Sequence, residues 1–470
     1  MVYLPRIRIE TQEDITLTTP GGPAVIALMG TAQWGAMNEV KTFTSFANLL
    51  DYYKADKEGL TLVKGSDIAY NNGAYVVKAV RIGHTGYAKA EKAFDSGAET
   101  GVLTFKGLYD GTYGNNILVT IITKGTGRIV KITDGVVVEN FTNNNDPNGY
   151  TTNQDIANAI NGVSSLVTVE VKAGSETTNL VDAITETALT GGNDGVDGLV
   201  FSDYTTAFDN VLNLEDFDIL LTPGIDSDSD HSTMVGKLNT RASNEKKYSL
   251  YFTGVSKDED IATQKARTAS GERLVLCSPS IKYTPSYQST QLILDGSYLA
   301  CAVAGQVAKR DVEVAVTRKE INVEGLVVDS TTNQLYYNNG EMEELLGAGI
   351  LPCSLINGAL KVGRGVTRVS DKSSIYYEIN IQRIVDKIKD QTQKELDGFL
   401  GDPNLKRVRD TMAREVDGIL QQNKLDEVIV DYKPTEINVG SSPDTIIVSM
   451  WIQPTFAINF INVTLAISRA

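Results

Sequence analysis

The strongest constraint on the fold is a rhythm in the middle of the chain. Three apolar runs, FDILLTPG (217–224), YSLYFTGV (248–255) and RLVLCSPS (273–280), alternate with helix-like stretches at 203–213, 231–244 and 258–270. Strands buried on both faces read as continuous hydrophobic runs, and parallel neighbours require a crossover of a dozen or more residues. The alternation therefore predicts a parallel sheet covered by helices. The same pattern starts earlier: AVIALMG (24–30) and AYVVKAVRIG (74–83) read as strands, with SFANLLDYY (45–53) a helix N-capped by Ser45. Residues 289–311 read as one long buried helix.

Between these α/β stretches the character changes. Residues 93–198 are rich in Gly, Asn and Thr, hold β-type runs at 117–123, 128–133 and 135–141, and contain 13 acidic and 5 basic residues. This predicts a mostly-β domain inserted into the α/β unit and exposed on its outside. With 470 residues, two to four domains are expected. The fold class is α/β (α+β overall), a discontinuous α/β core with strand arms at both ends. The expected parts are an arm at 1–22, α/β pieces at 23–92 and 199–355, the insertion at 93–198, a C-terminal α/β domain at 356–443, and strands with an arm at 444–470.

The clearest helical periodicity lies in 375–421. Ile381, Ile384, Val385, Ile388, Leu396 and Phe399 share one face. The turn LGDPN (400–404) predicts a second helix with Asp402 as N-cap and Pro403 at its first position, burying Leu405, Val408, Met412, Val416 and Ile419. Strands are expected at 427–432 and 444–467.

Both chain ends alternate like strands. Tyr3, Ile7 and Ile9 oppose Arg6, Arg8 and Glu10; at the other end Ile461, Val463, Leu465 and Ile467 share a parity. The apolar phase shifts at Phe460–Ile461, which predicts a bulge or bend there. Nothing blunts the last strand against pairing with another chain.

Charge and motifs narrow the function classes. The chain carries 43 basic and 59 acidic residues, a formal net charge of −16, which argues against nucleic acid and anionic membranes as partners. No apolar run reaches the roughly 20 residues of a membrane helix, and charges interrupt the first twenty residues where a signal peptide has an apolar core. The expected compartment is a cytoplasm. Cys277, Cys301 and Cys353 are too far apart for a Cys-x-x-Cys site.

The two histidines, His84 and His231, make no catalytic pattern. His231 stands at the sixth position of the acidic run from Asp226, where a calcium loop requires Gly, and also where a phosphate-binding loop ending at Gly236-Lys237 requires Gly. No catalytic, cofactor or metal site is expected. One charge feature remains: residues 361–414 hold 12 basic and 8 acidic residues, and Arg383, Lys387 and Lys394 share a helix face opposite the apolar stripe. It reads either as a solvated face or as a docking surface for an acidic partner.

Several segments resemble one family. KVGRGVTRVSD (361–371), INIQRIVDKIKDQTQKELDGFLGDPNLKRVRDTMAREVDGIL (379–420) and the closing strands are similar to the C-terminal region of contractile tail sheath proteins of phages and prophages. PGGPAVIALMGTAQWGAMNEVKTFTSFANLLDYY (20–53) resembles the family's opening, and the insertion ending TGGNDG (190–195) fits it. One departure is Asp402 after Gly401, where the family often has Lys.

The resemblance implies a structural subunit, not an enzyme. It implies hexameric rings stacked helically around a tail tube in the virion tail, assembled in the host cytoplasm. It also implies baseplate and tail terminator proteins as partners, and contraction that drives the tube through a target envelope. Tyr3, Arg6, Ile7, Arg8 and Ile9, with Ile461, Val463, Leu465 and Ile467, would form strands donated to neighbouring copies. The C-terminal domain would face the tube, with Arg383, Lys387 and Lys394 as the contact. The alternatives are a bacteriocin- or secretion-type injection sheath and an α/β enzyme of unknown substrate.

Overall fold

The computed structural model describes residues 24–461 apart from positions 98, 144, 145, 370 and 443. At its centre is an eight-stranded sheet in the spatial order Ala359–Val362, Ile350–Ile356, Leu274–Ser278, Leu250–Gly254, Ile219–Leu221, Val25–Gly30, Val76–Arg81, Val40–Phe43. The six inner strands are parallel and each outermost strand is antiparallel to its neighbour. Every residue of Leu250–Gly254 and Leu274–Ser278 is buried, as their unbroken apolar character requires.

One sheet face packs on the helices Leu62–Asn71 and Gly296–Ala308, the latter buried along its whole length. The other face packs on Phe201–Ala207 and Asp228–Asn244. Ser45 caps Phe46–Tyr53 by accepting from the Asn48 amide at 3.3 Å. The single helix expected over 289–311 is instead a short strand, Leu292–Leu294, and then the helix. Asp295 divides them, accepting from the Ser297 amide at 2.8 Å as the N-cap. The stretch 258–270 shortens to a helix over Ile261–Ala266. All three cysteines are buried and unpaired: Cys277 and Cys353 lie on adjacent strands and Cys301 on the helix above.

The strands between positions 91 and 188 build two small antiparallel sheets around the helix Asn153–Ile160, with their own core. That core includes Trp34, contributed by the loop after the first central strand, whose ring lies 5.5 Å from Tyr109 and 5.4 Å from Tyr113. Beside it the fully buried Arg81 donates through Nη1 to the carbonyls of Gly35 at 2.8 Å and Asp110 at 2.7 Å, with Asp194 at 3.7 Å. These contacts fix the β-rich unit to the α/β body.

The C-terminal part has the helices Ile379–Asp397 and Lys406–Leu425, followed by a two-stranded hairpin, Ile429–Val439 with Ile446–Pro454. The second helix begins later than its sequence suggests. A turn closed by the Leu405 amide on the Pro403 carbonyl (2.7 Å) intervenes, Leu405 takes the N-cap position, and its side chain is exposed.

Candidate functional site

The hairpin is a two-stranded sheet that packs on its helices through one face. Its inner face packs Tyr432, Val448 and Ile452 against Ile381, Ile384, Ile388, Val416 and Leu420 of the two helices. On the second strand alternation explains this face, since Ile446, Val448, Met450 and Ile452 share one parity. The turn closes through the Gly440 amide on the Thr445 carbonyl at 2.8 Å.

The register shifts between Lys433 and Glu436, around Pro434, which has no amide to contribute to a ladder. The Thr435 amide leaves the ladder there and donates to Asp417 on the second helix at 2.8 Å. On the outer face Val430, Ile447 and Trp451 are exposed, and Lys433 lies 4.8 Å above the Trp451 ring. Among the described residues neither long edge of this two-stranded sheet is paired with a third strand.

The strand expected to run from 444 to 467 ends at Pro454. Thr455 then ties the turn down, its amide on the Val428 carbonyl at 3.2 Å and its hydroxyl on the Glu427 carbonyl at 2.6 Å. The next residues make no ladder within the chain. Phe456, Ile458, Phe460 and Ile461 are 53, 83, 78 and 80% exposed, and the Arg364 guanidinium lies 5.6 Å from the Phe460 ring. Four large apolar side chains in six residues are thus left to water, the kind of surface that marks an interaction site. Of the predicted arm residues only Ile461 lies within the described structure; Tyr3, Arg6, Ile7, Arg8, Ile9, Val463, Leu465 and Ile467 lie outside the described residues.

The three cations singled out on the first helix do not act as one surface. Arg383 turns inward and donates to the carbonyls of Arg310 at 3.0 Å and Asp311 at 3.3 Å. Burial holds its guanidinium below the usual range. Lys387 is half-buried, and Lys394 is exposed and paired with Asp390 at 2.8 Å, one turn earlier.

Asp386, which local spacing pairs with its own helix, instead reaches into the body. It grips Arg273 with both carboxylate oxygens at 2.9 Å, and both side chains are nearly buried. A second set of cations, Lys406, Arg407 and Arg409, occupies the first turns of the second helix, beside the exposed Leu400 and Leu405. Cations at a helix N-terminus oppose its dipole, and no acidic residue balances them in the first turn. Lys406 is paired one turn on with Asp410 at 2.8 Å.

The end of the parallel sheet where α/β folds bind ligands is filled. Strand order reverses between Val25–Gly30 and Ile219–Leu221, where a crevice would be expected. A side chain at Gly30 would meet Thr61 Oγ1 at 2.7 Å, one at Gly65 would meet Pro223 at 2.6 Å, and the Gly224 amide is bound by Ser297 Oγ at 2.7 Å. Nearby, His231 Nε2 is 2.9 Å from Thr253 Oγ1 and 3.2 Å from the Ile225 carbonyl, and burial lowers its pKa to about 4. It is a neutral core histidine. Asp228 is held low by the Thr268 and Ala269 amides it accepts from, which pins the acidic loop at 226–230 to its neighbour.

Among the described residues no group of three or more His, Cys, Asp or Glu side chains is arranged to hold a metal. No described helix is long and apolar enough to cross a membrane.

The architecture combines a closed α/β body, an outer β-rich unit and a helix-backed hairpin. Specifically, the chain has the fold of contractile tail sheath proteins. The sheath tail protein of Desulfitobacterium hafniense superposes with a TM-score of 0.67 over 97% of both chains at 16% identity. That of Listeria innocua gives 0.67 over 94% of both chains at 17% identity. The helical sheath of the anti-feeding prophage in its contracted state gives 0.53 over 99% of both chains at 10% identity. No protein-family model matches the sequence, and no curated protein does.

Proposed function

We propose that this chain is the structural subunit of a contractile tail sheath. Copies would stack as hexameric rings around a tail tube in the virion tail and shorten to drive the tube through a target envelope. The carrying observation is that the likeness to sheath tail proteins spans 97% of both chains, the β-rich unit and the C-terminal part included. A shared α/β body alone would say little about function.

On this reading the open-edged hairpin accepts strands from other copies, and the exposed segment after Pro454 leads its own strand outward. Main-chain ladders then join subunits while letting them turn. Head-to-tail contacts of this kind do not close, and they propagate into a filament. Contraction would exchange weak contacts with the tube for larger contacts between subunits. A bias of a few kcal/mol per copy is enough to shift such a two-state element. Lys387 and Lys394 stay as tube-facing candidates, joined now by Lys406, Arg407 and Arg409, while Arg383 anchors the helix to the body. Baseplate and terminator proteins would cap the two ends.

The test is electron microscopy of the purified chain together with two truncations. The intact protein is expected to form tubes or stacked rings. Removal of 461–470 or of 1–10 is expected to leave a folded monomer that cannot polymerise. Compact monomers of the intact chain at high concentration would refute the reading. Unfolding on truncation would show that the arm completes its own core. The same subunit would serve a bacteriocin- or secretion-type injection sheath; the likeness to the anti-feeding prophage sheath supports that context as a second reading.

A further inference from the structure

The exposed segment after Pro454 is held at one point by a cluster around Arg364. Asn459 Nδ2 donates to Glu378 Oε1 at 3.1 Å. Arg364 donates to the same oxygen, through Nε at 2.9 Å and again through Nη2. Its guanidinium lies 5.2 Å from the buried Tyr377 ring and 5.6 Å from the Phe460 ring. One cation thus joins an aromatic of the body to an aromatic of the segment.

The body half of this cluster is built in. Glu378 is buried and stands at the N-cap of Ile379–Asp397. The stretches that carry Arg364 and Glu378 are tied side by side: the Ile379 amide donates to the Gly365 carbonyl at 3.2 Å, and the Thr367 amide to the Tyr377 carbonyl at 2.9 Å.

The segment half is small and incomplete. Glu378 Oε2 and Asn459 Oδ1 are buried with no hydrogen-bond partner among the described residues. A buried acceptor left unmet carries the desolvation cost of its group. Ile458 and Phe460 stay 83 and 78% exposed, so docking removes little apolar surface from water.

We infer that Arg364 and Glu378 form a latch that holds the segment 455–461 on its own subunit and opens when subunits join. Opening returns both unmet oxygens to water and leaves Arg364 with Glu378 and Tyr377, so the body is undisturbed. Such a contact is a two-state element that a partner can bias. This rests on the sheath reading and adds a restraint to it. Association of free subunits is weakened by the fraction in which the latch is closed. The restraint matters because head-to-tail contacts otherwise propagate without limit.

The test has a loosening arm and a locking arm, both in the full-length chain. Asn459→Ala changes only the segment. Below the concentration of assembly, chymotrypsin cleavage after Phe456 and Phe460 is expected to quicken by roughly ten-fold, the effect of one hydrogen bond to a charged group. The concentration at which tubes appear by light scattering is expected to fall by several-fold. Cleavage at the unmodified rate would overturn the latch, and faster cleavage without easier assembly would overturn its restraining role.

The locking arm bridges Glu378→Cys with Asn459→Cys within one chain by a reducible thiol-specific linker; the native cysteines are buried. The bridged chain is expected to stay monomeric and to form tubes once the linker is cut. Assembly of the bridged chain as readily as the cut one would overturn the opening step. An unmodified chain that never forms tubes would remove the sheath reading itself, while the cleavage rates would still report whether the segment is held.

Discussion

The body and the hairpin treat sheet edges in opposite ways. In the body, the outermost strand Ala359–Val362 is closed by the segment 318–321: the Arg318 amide reaches the Val362 carbonyl at 2.9 Å, and the Ile321 amide reaches the Leu360 carbonyl at 3.0 Å. In the β-rich unit a single side chain does the same work. The Asn161 amide accepts from the Val169 N–H and donates to its carbonyl, both at 2.8 Å, closing the outer side of Val167–Val171. Among the described residues the hairpin has no such device on Ile446–Pro454, although it is the longer and more apolar strand. An edge left bare among the described residues, where others are closed, is what the proposed strand addition requires.

The largest expected effect tests whether the C-terminal part is rigidly joined to the closed body. Asp386→Ala would leave Arg273 buried without its carboxylate, a loss of about 3–5 kcal/mol. Denaturant unfolding measures it, and proteolysis at the 379–425 helices should rise with it. A loss under 1 kcal/mol would mean that water reaches Arg273 and that the join is loose.

A second test separates the two regions by pH. Asp56 is buried beside Lys64 and Asp194, accepts the Lys64 amide at 2.9 Å, and is pushed up to about 7 by burial. The native state then binds more protons than the unfolded state from about pH 4 to 7, so this group's contribution to stability falls as pH rises through that window. His231, lowered to about 4, acts in the opposite sense: its contribution is lost as pH falls from about 6.5 to 4. Asp56→Asn removes the first dependence. The stability difference, wild type minus variant, should fall between pH 4 and 7 and level off above it. Tube formation through the hairpin should show no such step.

Much of the body was legible because buried parallel strands announce themselves as unbroken apolar runs, and Ser45 as N-cap is a local rule that held. The two small sheets between positions 91 and 188 coincide with a change in composition. What escaped were contacts between distant segments. Nothing local marks Trp34 as part of the β-rich unit's core, or Asp386 as the partner of Arg273. Arg383 looked free because helical spacing gives its face but not the Arg310 and Asp311 carbonyls waiting there. The last strand stops at Pro454 although alternation continues past it, because pairing among the described residues does not.

The smallest expected effect bears most directly on the comparison. Asn161→Ala removes two hydrogen bonds from the Val169 backbone, a loss of about 1–3 kcal/mol that the β-rich unit, with its own core, should survive folded. Its more telling consequence is on solution behaviour. The bared Val167–Val171 edge would then resemble the hairpin edge, and concentration-dependent association should appear by light scattering even in a chain lacking residues 461–470. If the truncated variant remains monomeric, a bare edge alone is not enough for pairing. The hairpin's role would then depend on the arms it matches as much as on the edges it exposes.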